Sequence, residues 1–207
     1  MSGLSLEHRF VEGDPAAPVL LLLHGTGGGP EDLLGLGREL SPASPLLAPA
    51  GAVSEHGAVP ARRWFRRLAE GVFDTEDVIA RAGQLADFLL AARAEYGLAG
   101  RRLVAVGFSN GANIAAATVL LRPDALTEAA AFAAMLPVPD PPRHDLRGSR
   151  VFLSGGEHDP MAPLPSAEEL VRVLRDRSAE VTTHRHPGGH QVTPEGVRAA
   201  KEWLTSG

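Results

Sequence analysis

The 207-residue chain carries a formal charge of −5 and no cysteine. Its length suits a single domain, residues 1–207, with a core of its own. The acidic balance speaks against a general nucleic-acid partner, and the missing cysteines remove disulfides, thiolate-bound zinc and a thiol nucleophile. Residues Met1 to Arg9 lack a basic segment followed by an apolar one, and the run Val19–Leu23 is far shorter than the ~20 residues of a membrane helix. A soluble, cytoplasmic protein without membrane insertion is therefore expected.

Short apolar runs alternate with amphipathic stretches along the chain. Leu4–Val11 reads as a first strand, ended by the turn Glu12-Gly13-Asp14-Pro15. Pro18–Leu23 is nearly all apolar, the pattern of a strand buried on both faces. Pro30-Glu31-Asp32 predicts a helix start, with proline early and acids in the first turn. Pro45–Ala48 reads as a short strand. Asp74-Thr75-Glu76-Asp77 supplies a cap and N-terminal acids, after which Val78, Ala82, Leu85, Ala86 and Leu89 recur at helical spacing. Leu103–Val106 predicts a strand and Ala112–Leu121 an alanine-rich helix. Ala130–Leu136 and Val151–Ser154 predict strands, Ser166–Arg177 a helix, Glu180–His186 a strand and Pro194–Leu204 a closing helix. Pro137–Pro142 reads as a stiff surface loop. This alternation with short connections predicts a mainly parallel α/β sheet with helices on both faces and no insertion long enough for a lid domain.

Directly after the strand Leu103–Val106 stands Gly107-Phe108-Ser109-Asn110-Gly111, a G-x-S-x-G sequence between a strand and a helix. The bend leaves no room for side chains flanking the serine. It lifts the Ser109 hydroxyl to the open end of a sheet and aims the Asn110 N–H at whatever the serine attacks. A serine hydroxyl needs a general base, and the base needs an acid to orient it, here expected in the order Ser, Asp or Glu, His. Asp159 follows the strand Val151–Ser154, where open α/β sheets build their sites, and is the strongest acid. Glu157 is its nearest rival; Asp124, Asp140, Asp145 and Asp176 are weaker. Among His144, His158, His184, His186 and His190, the last is favoured: Gly188 and Gly189 give its loop freedom to reach the serine. His184 and His186 alternate on one strand face and read as strand histidines. Leu20–Leu23 runs into His24-Gly25-Thr26-Gly27-Gly28-Gly29, so the Thr26 and Asn110 amides are the candidate oxyanion donors, with His24 bracing the loop.

Rival readings are weaker. The glycine loop lacks the Gly-Lys-Ser/Thr of a phosphate loop, and Pro30 breaks a dinucleotide fingerprint begun at Gly25. A metal site from His184, His186 and His190 leaves the elbow unexplained. A non-catalytic binding protein leaves a full set of competent residues idle.

Taken together, His24-Gly25-Thr26-Gly27-Gly28, the elbow, Gly156-Glu157-His158-Asp159-Pro160, Gly189-His190 and the stretch Arg63 to Asp74 resemble the phospholipase/carboxylesterase family of small α/β-hydrolases, in particular bacterial carboxylesterase or dienelactone-hydrolase-like members. The likeness spans nearly the whole chain and keeps motif order and spacing. It implies an α/β-hydrolase fold, the triad Ser109, Asp159 and His190, no metal or organic cofactor, and hydrolysis of small to medium carboxylic esters through an acyl-serine. Thioesters or lysophospholipid-type substrates are the alternatives. A homodimer rests on the resemblance alone. Dienelactone hydrolases proper use cysteine, which this chain lacks. Within the arginine-rich stretch, Trp64 and Phe65 are pocket candidates, joined by Met161; the alternative is that these residues pack loop to core. The arginines would suit an anionic substrate, although nothing in the sequence requires one.

Overall fold

The computed structural model describes residues 4–55, 61–69 and 71–207. Met1, Ser2 and Gly3 of the chain start and Glu70 of the arginine-rich stretch lie outside them. In chain order the elements are β1 (His8–Val11), β2 (Val19–Leu23), α1 (Leu34–Leu40), β3 (Leu46–Pro49), β4 (Val53–Glu55), β5 (Ala61–Arg63), β6 (Arg67–Ala69), β7 (Val72–Phe73), α2 (Thr75–Glu95), β8 (Leu103–Phe108), α3 (Asn110–Leu121), β9 (Glu128–Phe132), β10 (Arg150–Gly156), α4 (Leu164–Arg175), β11 (Glu180–His186) and α5 (Pro194–Thr205).

The central sheet has the order β1-β3-β2-β8-β9-β10-β11. β1 runs antiparallel to β3, and the other pairs are parallel. Its inner strands are apolar on both sides. Val19, Leu21 and Leu23 of β2 join one core cluster while Leu20 and Leu22 join the other; Leu103 and Ala105 of β8 part from Val104 and Val106 in the same way. Period-2 side-chain alternation with both faces buried is what a continuous apolar run achieves in a parallel sheet. On the first face, Val78, Leu85 and Leu89 of α2, Ile114 of α3 and Leu170 of α4 complete the core. On the second, Leu40 of α1 and Val197, Trp203 and Leu204 of α5 do so. Among the described residues no helix is long and apolar enough to cross a membrane.

Local signals explain most boundaries. Asp74 Oδ1 accepts the Asp77 N–H at 3.2 Å, capping α2 as its sequence predicts. Thr193 Oγ1 accepts the Gly196 N–H at 3.1 Å, and Pro194 opens α5. Three predicted boundaries are corrected: the first strand, expected from Leu4, begins at His8, and two others shift as follows. Pro30-Glu31-Asp32 forms a turn, and α1 begins only at Leu34 with no acid in its first turn. There the Asp32 carboxylate accepts the Gly29 N–H at 3.2 Å, serving the glycine loop rather than the helix. The strand expected to reach Leu136 ends at Phe132, because Ala133 turns to φ +56° and leaves the sheet. The small hairpins β4–β5 and β6–β7, between β3 and α2, have no counterpart among the predicted elements.

Candidate active site

Ser109 stands between β8 and α3 at φ +54°, ψ −118°, a conformation that costs an L-residue energy and persists only where its surroundings enforce it. Those surroundings are two backbone contacts. A Cβ on Gly107 would lie 2.5 Å from the Gly111 carbonyl oxygen, and one on Gly111 would lie 1.9 Å from that of Leu23. Glycine at both positions is thus a packing requirement of the bend. The Ser109 N–H donates to the Phe132 carbonyl at 2.9 Å, fastening the turn to β9.

Two loops at the same end of the sheet bring the other candidates to it. Asp159 follows β10 and is buried; its Oδ1 accepts the Met161 and Ala162 N–H groups at 2.8 and 2.9 Å. Its Oδ2 lies 2.8 Å from His190 Nδ1, and His190 Nε2 lies 2.8 Å from Ser109 Oγ. An ionised carboxylate only accepts, so the imidazole proton sits on Nδ1 and Nε2 is left to accept from the serine hydroxyl. Such a chain is the arrangement by which a serine is activated. The loop carrying His190 is laced to the one carrying Asp159: Glu157 N–H donates to the His186 carbonyl at 2.9 Å, His158 N–H to the Gly188 carbonyl at 3.2 Å, and His158 Nδ1 lies 3.0 Å from the Pro187 carbonyl. Gly156 permits this approach, since a Cβ there would fall 2.3 Å from the Gly188 oxygen.

His184, His186 and His24 are engaged elsewhere. His184 Nδ1 lies 3.1 Å from Ser154 Oγ, and burial, then His186, lowers its pKa. His186 Nδ1 accepts the Gly188 N–H at 3.2 Å. With His190 on Ser109 and Asp159, the three imidazoles do not converge on one point, and no cluster of three metal-ligating residues occurs among the described residues. His24 is buried and accepts the Gly51 N–H at Nε2, 2.9 Å, so its proton lies on Nδ1 and is donated to the Gly25 carbonyl at 2.7 Å. Burial holds its pKa below the ordinary histidine value.

Thr26, Ser109, Asn110 and His190 line one cleft of about 40 Å³, together with Arg63, Arg67, Gly71, Phe73, Asn113, Ala133 and Met161. As the first residue of α3, Asn110 has no carbonyl within the helix to receive its N–H. The Thr26 N–H makes no backbone hydrogen bond among the described residues. A larger groove of about 370 Å³ lies far from this chemistry, between the 139–147 stretch and α4.

Met161 lines the cleft, as its position after Asp159 suggests, but Trp64 and Phe65 do not. Both are buried in the core. Trp64 Nε1 donates to the His24 carbonyl at 2.9 Å, its backbone N–H donates to Asn110 Oδ1 at 2.7 Å, and Phe65 packs edge-on against Phe73. The neighbouring Arg62 carbonyl receives the Gly27 N–H at 2.7 Å, and Arg63 Nη2 donates to Thr26 Oγ1 at 3.2 Å. Residues 62–64 therefore form a strut between the glycine loop and the elbow. Its polar contacts run to residues more than thirty positions away, so no local periodicity announces them.

The phospholipase/carboxylesterase family model matches residues 8–206. MhqD of Bacillus subtilis (strain 168), provisionally named a hydrolase, is 43% identical over 198 residues, which cover 96% of this chain and 97% of that protein. The crystal structure of a Bacillus cereus carboxylesterase is 42% identical with a TM-score of 0.93, covering 99% of this chain and 96% of that one. A carboxylesterase structure from Mesorhizobium loti is 27% identical with a TM-score of 0.90, covering 100% and 98%. With its mostly parallel sheet, its elbow at Ser109 and a match over nearly its whole length, this chain belongs to the phospholipase/carboxylesterase family of α/β-hydrolases.

Proposed function

We propose that residues 1–207 act as a single serine carboxylesterase domain that cleaves small carboxylic esters through an acyl-enzyme. The observation that carries this reading is the unbroken chain from Ser109 Oγ to His190 and on to buried Asp159, each step 2.8 Å. In the first half-reaction Ser109 Oγ attacks the ester carbonyl and His190 Nε2 takes its proton. Negative charge collects on the carbonyl oxygen, where the Thr26 and Asn110 N–H groups donate to it; losing one such donor costs about 10²–10³ in rate. His190 then protonates the departing alcohol as the carbon–oxygen bond breaks. Water enters, gives a proton to His190, attacks the acyl carbon and releases the acid, and the proton returns to Ser109. Asp159 stays ionised throughout and stabilises the imidazolium.

The small cleft supports short acyl groups over the long chains of a lysophospholipid. The test is hydrolysis of p-nitrophenyl acetate, butyrate and octanoate by the wild-type protein and Ser109→Ala. Turnover that falls by about 10³-fold or more to background in a folded variant is expected, with acetate and butyrate ahead of octanoate. Equal rates for both proteins would refute the assignment of Ser109. Failure of a fluorophosphonate to label Ser109 would favour a non-catalytic binding protein.

A further inference from the structure

Every residue of α3 from Asn110 to Leu120 is buried, and most are apolar. Its polar side chains are those of Asn110, Asn113 and Thr118. Thr118 spends its hydroxyl within the helix, on the Ile114 carbonyl at 2.8 Å. Asn113 is 5% exposed and still lines the cleft that holds Ser109. Its Oδ1 accepts the Met135 N–H at 2.9 Å. That bond fixes which way the amide points, because only its oxygen can accept a backbone N–H. The Nδ2 group carries two donors. It makes no hydrogen bond among the described residues, and it is not sealed within the core. Asn110 repeats the pattern three residues earlier: its Oδ1 holds the Trp64 N–H at 2.7 Å, and its Nδ2 is equally unspent. Residues three apart share one face of a helix, so both amides stand on the side of α3 that borders the cleft.

Buried polar groups are nearly always hydrogen-bonded, so donors left over at a cleft point to an acceptor on the ligand. The Asn113 N–H donates to the Ser109 carbonyl at 2.9 Å, which sets the two residues one helical turn apart, about 6 Å along the axis. An ester bound at Ser109 therefore meets Asn113 with an atom a few bonds from its scissile carbonyl. An amide is an uncharged donor and suits an uncharged carbonyl oxygen; a carboxylate would give up its hydration for neutral bonds alone. Phe73, Ala133 and Met161 supply apolar surface for the carbons between the two oxygens.

We infer that the substrate is a short ester bearing a second, uncharged carbonyl oxygen, to which Asn113 Nδ2 donates, with the Asn110 amide beside it. This inference rests on the esterase reading above and names its substrate class. Asn113 is then a specificity-determining residue and takes no part in bond making. A site built to donate to such an oxygen discriminates against the analogue that lacks it, because the donor is then covered without a partner.

The test uses pairs of esters in which a methyl group takes the place of the second carbonyl oxygen. On the acyl side the pair is ethyl 4-oxopentanoate and ethyl 4-methylpentanoate; on the alcohol side it is 4-oxopentyl acetate and 4-methylpentyl acetate. The readout is the ratio of kcat/KM, oxo over methyl, within each pair, divided by the same ratio for hydrolysis by hydroxide. A ratio of about ten or more in at least one pair is expected. Asn113→Asp keeps an oxygen for the Met135 N–H and exchanges the donor for an acceptor. At about pH 8, well above the usual carboxylate range, it should bring the ratio to one or below. Asn113→Ala should bring it to about one. A purely structural role for Asn113 would slow both esters of a pair alike, and a ratio that survives both substitutions overturns the inference. Should neither variant fold, the wild-type ratios decide: values below about three in both pairs overturn the inference while the esterase reading stands. So does failure to hydrolyse either oxo ester while p-nitrophenyl acetate is turned over. If no ester is hydrolysed and a fluorophosphonate does not label Ser109, the esterase reading fails and takes this inference with it.

Discussion

Ser109 holds a backbone conformation that most serines avoid, and the proposed chemistry depends on neighbours that keep it there. Asp159 is the most tightly held of the proposed three. Replacing it by asparagine keeps the shape but presents an amide to His190, which favours the wrong tautomer; a kcat loss of about 10⁴-fold is expected, measured with p-nitrophenyl acetate. His24 offers a different test. Burial lowers its folded pKa, and that of His184 is lowered too, so both favour the neutral form in the folded state. The unfolded chain therefore binds more protons as the pH drops below about 6.5. Stability should be full above that pH and decline as the pH falls toward the lowered folded values, by at most about 1.4 kcal/mol per pH unit for His24 and by less for His184, whose partial exposure lets solvent screen the effect. Urea unfolding at pH 7.5 and 5.0 measures the decline, and His24→Gln should make it shallower. At this scale Ser109, Asp159 and His190 were legible because each sits in a short motif beside a strand end. Trp64 and Phe65 were misleading, since an aromatic residue in a loop looks the same in sequence whether it faces a ligand or the core.

The unit β8–elbow–α3 is the element on which the site is mounted. A methyl group on Gly111 collides with β2 backbone at 1.9 Å, and backbone cannot swing aside as a side chain can. Gly111→Ala should cost about 3 kcal/mol or more, read as a shift in the urea midpoint. Gly156→Ala tests the other mount. Its Cβ would press on the Gly188 and Gly189 carbonyls at 2.3 and 2.4 Å, in the loop that delivers His190. That loop can shift where the elbow cannot, so the expected outcome is a drop in kcat of about 10²-fold with a much smaller loss of stability. The long elements were readable from periodicity and caps, as α2 shows with Asp74. The hairpins β4–β5 and β6–β7 were not. Each strand has two or three residues, too few to set up an alternation, and the arginines within them resemble a solvated loop.

Across the whole molecule, the two ends of the sheet carry different burdens. The catalytic candidates gather where β8 and β10 end. The opposite end is closed by Glu128, which pairs with Arg102 at 2.8 Å and Arg150 at 3.1 Å. Arg102 Nη1 also donates to the Leu204 and Gly207 carbonyls at 3.0 and 2.9 Å, and Arg150 lies 5.0 Å from the Trp203 ring. Glu128→Gln leaves the partly buried Arg102 without its carboxylate and Arg150 with only Glu180, at 3.8 Å. It should cost about 1–3 kcal/mol of stability while kcat at 25 °C stays within about twofold, since Glu128 contacts nothing in the cleft. By itself the sequence determined the class of fold and singled out the three residues proposed as the triad. Apolar runs of period 2, a capped helix and a serine between two glycines are local patterns whose physical cause acts within a few residues. Only the tertiary structure decided which residues wall the cleft, that residues 62–64 brace the glycine loop against the elbow, and that Arg63 and Arg67 line the same cleft as Ser109. Those relations join positions tens of residues apart, brought together by sheet order and loop packing, and no short window of sequence contains them.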